Sequence, residues 1–82
     1  MPNSKLTDAS RIFAVKYNLT QREAEVFNLF LEGLTPEAVA TRLNLSLSTV
    51  RNHVKGLLRG TQTNAVNVLL AKFIREAFER LP

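Results

Sequence analysis

Apolar residues in this sequence recur three and four positions apart almost from end to end, and no segment alternates polar with apolar long enough to make a strand. That pattern commits the chain to helices. Start and stop signals then divide it. Thr20 followed by Glu23 is a capping box, in which the hydroxyl accepts from a free backbone N–H and the carboxylate reaches back to the cap. Leu19 is placed to staple onto Ala24, and Val26, Phe27, Phe30 and Leu31 form the buried stripe. Gly33 supplies the left-handed residue that ends this helix. Thr35-Pro36 opens the next one: threonine caps, and proline at the first helical position sacrifices no hydrogen bond. Ala38, Val39 and Leu43 face inward there, and Asn44, tolerant of positive φ, closes it. Ser46 caps a further segment, in which Leu47, Val50, Val54, Leu57 and Leu58 share one apolar face and Gly60 is the expected stop.

Two more helices flank these. From about Thr7 to Tyr17, the residues Leu6, Ala9, Phe13 and Tyr17 lie on one face with Ile12 beside them. From about Thr63 to Leu81, Val66, Leu70, Phe73, Ile74, Ala77, Phe78 and Leu81 spread over roughly half the circumference, opposite Lys72, Arg75, Glu76 and Glu79. An arc so wide exceeds what one neighbouring core requires. Its outer part, around Phe73, Ala77 and Phe78, is expected to form a homodimer contact.

Eighty-two residues suffice for one domain with a modest core, which burial against a partner would help. The absence of cysteine excludes disulfides and thiolate metal sites and is compatible with a reducing cytoplasm. His53, the single histidine, cannot make a metal site alone and is expected to hydrogen-bond structurally. Glu23 has a capping role, Glu25 points elsewhere, and no nucleophile accompanies them, so neither an enzyme nor a cofactor is expected. No apolar stretch follows Met1–Lys5, which reads as a natural start, and no run reaches the roughly twenty apolar residues that cross a membrane.

The net charge of +4 is unevenly spread. Residues 19–45 carry Arg22 and Arg42 against Glu23, Glu25, Glu32 and Glu37, whereas residues 46–60 carry Arg51, Lys55 and Arg59 with no acid. On the segment from Leu47 to Arg59, Ser48, Arg51, Asn52, Lys55 and Arg59 fall opposite the apolar face. Arginine can chelate the O6/N7 edge of guanine, asparagine pairs with adenine, and lysine and serine serve bases or phosphates. Two short helices joined by a tight turn, the second basic on its outward side, make a helix-turn-helix suited to double-stranded DNA. Arg51, Asn52 and Lys55 are the expected base contacts. Thr35, Ser46, Ser48, Thr49 and Arg59 are the expected phosphate contacts, the caps because helix N-termini attract phosphate.

The signature Leu19-Thr20-x-Arg22-Glu23-x-Glu25-Val26, Gly33-Leu34-Thr35, Val39-Ala40-x-x-Leu43 and Ser46-x-x-Thr49-Val50-Arg51-x-His53-x-x-x-Leu57 resembles the LuxR/FixJ/GerE-type DNA-binding domain of bacterial transcription regulators. The resemblance implies an all-α, four-helix unit over residues 19–82, here with an additional short N-terminal helix in residues 1–18 and a long C-terminal helix. It also implies that the helix from Leu47 enters the major groove, that Arg51, Asn52 and Lys55 reach base edges or nearby phosphates, and that the last helix makes a two-fold dimer. The pattern breaks at Gly60-Thr61-Gln62, where the family carries a Lys-Leu-Gly turn. An apolar anchor is missing there. That departure and the wide C-terminal arc favour an alternative, a helix-turn-helix turned protein-interaction adaptor or antagonist of a related regulator. A separate or attached regulatory domain is compatible with either reading.

Overall fold

The computed structural model describes residues 4–80, with side chains from Asp8 to Arg80, as five helices: α1 (Ser4–Lys16), α2 (Gln21–Leu31), α3 (Pro36–Leu43), α4 (Leu47–Thr61) and α5 (Val66–Glu79). The all-α architecture is the expected one. Met1, Leu81 and the Leu6 side chain, assigned above to a start and to apolar faces, lie outside the described residues.

The three local start signals work as chemistry dictates. Thr20 accepts from the Glu23 N–H at 3.1 Å while the Glu23 carboxylate accepts from the Thr20 N–H at 3.0 Å. Thr35 accepts from Ala38 N–H at 3.2 Å and Ser46 from Thr49 N–H at 3.0 Å. The stops of α1 to α4 share one device. Asn18, Gly33, Asn44 and Gln62 each adopt positive φ. Behind each of them, the next residue's N–H reaches back five positions: Leu19 to Ala14, Leu34 to Leu29, Leu45 to Ala40 and Thr63 to Leu58, at 2.9–3.1 Å. This is the Schellman closure, which satisfies orphan carbonyls and usually seats an apolar residue just past the left-handed one. Leu19, Leu34 and Leu45 fill that role against the core; Thr63 does not.

Two boundaries differ from the sequence expectation. Gly60 does not stop α4, which runs on to Thr61 and ends at Gln62 with φ 59°. Nor does Thr63 start α5. The helix begins at Val66 after Ala65, whose side chain makes no cap, and the Thr63 hydroxyl lies instead 2.9 Å from Thr61 Oγ1.

Helix α4 packs chiefly on α2 and α3, and α1 and α5 close the other side, touching each other. The core is Phe13, Val26, Phe27, Leu29, Phe30, Val39, Ala40, Val50, Leu57, Leu69 and Phe73. Its centre is aromatic: Phe13 stacks on Phe27 at 5.1 Å, and Phe73 meets both edge-on at 5.3 and 5.2 Å. Such pairs add about 0.5–1.5 kcal/mol each beyond the area they bury. Phe73 is therefore core, 3% exposed, and not part of an outer dimer contact. The broad arc of α5 is explained in part by α1 lying across it. Leu69, absent from the expected stripe, is fully buried, whereas Ile74 and Phe78 are 51% and 68% exposed and Ala77 is half-buried.

Candidate nucleic-acid interface

Helix α4 turns Val50, Leu57 and Thr61 fully inward, with Val54 and Leu58 packed against the core beside them. A helix so strongly one-sided has its opposite side fixed by the same packing. Ser48, Arg51, Asn52, Lys55 and Arg59 are all exposed, and among the described residues none has a side-chain hydrogen bond or ion pair. Helix α5 touches α4 without covering this stripe. The cations are thus presented to solvent with their bonding capacity free, while three of the acids are committed elsewhere: Asp8 pairs with Arg11, Glu25 with Arg22 and Glu76 with Lys16.

The expected phosphate contacts divide. Thr35 and Ser46 are exposed caps whose oxygens already accept from their own helices. The Ser46 hydroxyl donates to Thr49 Oγ1 at 2.9 Å, which leaves the proton of the half-buried Thr49 hydroxyl for an outside acceptor. His53 is half-buried and has no hydrogen-bond partner among the described residues, so the expected structural bond is not made. Arg42 was not singled out from sequence. It is exposed and unpartnered in the last turn of α3, and its signal was available: a cation at the end of the first helix of a helix-turn-helix pair.

The flank of α4 that meets α2 explains Gly56. A Cβ there would overlap the Glu23 carboxylate, 3.3 Å from its Cδ. The glycine admits the capping box of α2 against the helix that carries the exposed basic stripe. At the far end, the Lys72 ammonium donates to the Thr61 carbonyl at 2.7 Å and sits 4.8 Å above the Tyr17 ring. The Tyr17 hydroxyl donates to Glu76, which also accepts from Lys16 at 3.0 Å. Partial burial pushes the Glu76 carboxyl up, but the Tyr17 hydroxyl and Lys16, with Lys72 nearby, outweigh it and hold Glu76 below its ordinary value.

Residues 17–65 match the family described as "Bacterial regulatory proteins, luxR family". The chain belongs to this family. The spore germination protein GerE of Bacillus subtilis is 40% identical to this luxR-family chain over 47 residues, which cover 57% of the chain and 64% of GerE. The "Probable transcriptional regulator ycf29" of Porphyra purpurea is 36% identical over 67 residues, 82% of the chain and 31% of that protein. Its counterpart of the same name in Cyanophora paradoxa is 41% identical over 49 residues, 60% and 23% of the two lengths. The matches span between 23% and 64% of the length of the curated relatives. No solved structure matches the chain. The luxR-family span includes the exposed stripe of α4 but leaves out α1 and α5 altogether. No helix among the described residues is long and apolar enough to cross a membrane, and no group of acidic and histidine side chains there could hold a metal ion.

Proposed function

We propose that this chain binds double-stranded DNA sequence-specifically and regulates transcription, with α4 as the helix that enters the major groove. The carrying observation is that Arg51, Asn52 and Lys55 stand exposed and unpartnered on a helix whose other side is core. The names of the ycf29 relatives point the same way. In this reading Arg51, Asn52 and Lys55 address base edges. Arg59, Ser48, Thr49 and the caps Thr35 and Ser46 hold phosphates and set the register.

The active species is a homodimer, as paired half-sites require. Its contact uses the face of α5 that the monomer leaves open, Ile74 and Phe78 with Ala77 at the margin. Acting on chromosomal DNA places the protein in the cytoplasm. The exposed Phe78 face also suits an adaptor that binds another protein, and DNA binding discriminates the two. Selection from a random DNA pool, followed by titration of the selected site against salt, is the test. A log–log slope of about −0.9 per phosphate neutralised is expected. Failure to enrich any sequence, or binding indifferent to ionic strength, overturns the proposal.

A further inference from the structure

Three of the four Schellman closures in this fold are locked by a leucine on the core, and the closure of α4 is not. In place of the leucine stands a polar assembly. Thr61 is wholly buried, its hydroxyl donating to the Leu57 carbonyl at 2.9 Å and facing the Thr63 hydroxyl at 2.9 Å. The carbonyl of Thr61, in the last turn where α-helical partners run out, takes the Lys72 ammonium at 2.7 Å. Lys72 is in turn held over the Tyr17 ring, and the Tyr17 hydroxyl is fixed by Glu76. A cation at a helix C-terminus is stabilised by the macrodipole as well as by the bond it donates.

We infer that Lys72 is a positioning residue for DNA binding, holding the last turn of α4, and with it Arg59, through the Thr61 carbonyl, and that Tyr17 and Glu76 hold Lys72 in place. The connection is short. The Arg59 carbonyl accepts from the Gln62 N–H at 3.1 Å, so the turn that Lys72 clamps is the one that carries Arg59. The inference rests on the function proposed above, in which Arg59 grips phosphate. Because the turn just after α1 supplies the ring, a segment remote in sequence from the exposed stripe of α4 takes part in setting it.

The test pairs a readout that needs no DNA with one that does. In Lys72→Met, native-state amide exchange at Gln62 and Thr63 is expected to speed up about tenfold, the loss of one charge-assisted hydrogen bond, while Val50 and Val54 stay unchanged. The salt slope for the selected site should become shallower by about 0.9, one phosphate contact, and Arg59→Ala should produce no further loss on top of it. Tyr17→Leu, which alters no charge, should reproduce both effects. That separates positioning from the mere removal of a cation, and thermal melts of each variant establish that it is folded. Unchanged exchange at Gln62 and Thr63 in folded Lys72→Met overturns the clamp whatever DNA does. Faster exchange with an unaltered slope, or losses that add to those of Arg59→Ala, overturn its role in binding. If the unsubstituted protein binds no DNA, the proposed function has failed, and the exchange arm still judges the clamp.

Discussion

Replacing Gly56 by alanine isolates why a helix former is missing from the middle of α4. Alanine is favoured over glycine inside a helix by about 1 kcal/mol. Against that, the new methyl group overlaps the Glu23 carboxylate, and nothing outside that side chain lies nearer than its own Cγ at 4.0 Å. The carboxylate must swing away and forfeit its 3.0 Å bond from the Thr20 N–H, worth about 1.5 kcal/mol for a charged acceptor at an exposed site. The expected net change is a loss of about 0.5 kcal/mol. In a Glu23→Ala background the obstruction and the bond are both gone, so the same substitution should stabilise by about 1 kcal/mol. Thermal unfolding followed by helical circular dichroism reads this as a small fall in Tm in the first case and a rise of about 4–8 °C in the second. The coupling is about 1.5 kcal/mol, well beyond the error of a double-mutant cycle. Equal effects in both backgrounds would refute the idea that close approach of the capping box selects glycine.

Arg51→Ala should cost about 1–3 kcal/mol at the selected site and relax preference at one base position, read by competition between site variants. Phe78→Glu should leave the monomer's melting unchanged, since the ring is 68% exposed, yet dissociate the dimer in sedimentation equilibrium and weaken binding to paired half-sites. Gln62→Gly should stabilise by about 0.5–1 kcal/mol in urea unfolding. The left-handed conformation costs a side-chain-bearing residue about 1–2 kcal/mol, partly offset by the extra unfolded-state entropy of glycine. The Glu76 carboxyl is held below its ordinary value of 4.5, so its contribution to stability is full above that pH and fades as acid carries the pH through its lowered folded value. Glu76→Gln should flatten that acid limb of a stability–pH profile.

What the sequence disclosed was whatever chemistry acts within a few residues. The capping box at Thr20, the caps at Thr35 and Ser46, and the left-handed stops at Gly33 and Asn44 are local bargains between a side chain and its own backbone, and each is where the pattern put it. The outward stripe of α4 was legible for the same reason: one clean apolar face fixes its opposite. Long-range facts were hidden. A wide apolar arc does not say which part the core takes, so Leu69 was passed over and Phe73 was assigned to a partner, until α1 is seen lying against α5. Thr63 marks the expected start of the last helix, yet it closes α4 instead, its N–H reaching back to Leu58. Gln62 carries no hint of a left-handed stop. Its conformation follows from the closure that Lys72 and the Thr63 N–H impose around it.

The ring-on-ring contact of Phe13 with Phe73 joins opposite ends of the chain across Phe27. A fragment trimmed to residues 17–65, the span of the family match, would lose both outer rings and uncover that side of Phe27. The family match therefore stops short of two helices that complete the core, and a fragment meant to keep that core has to carry α1 and α5 along.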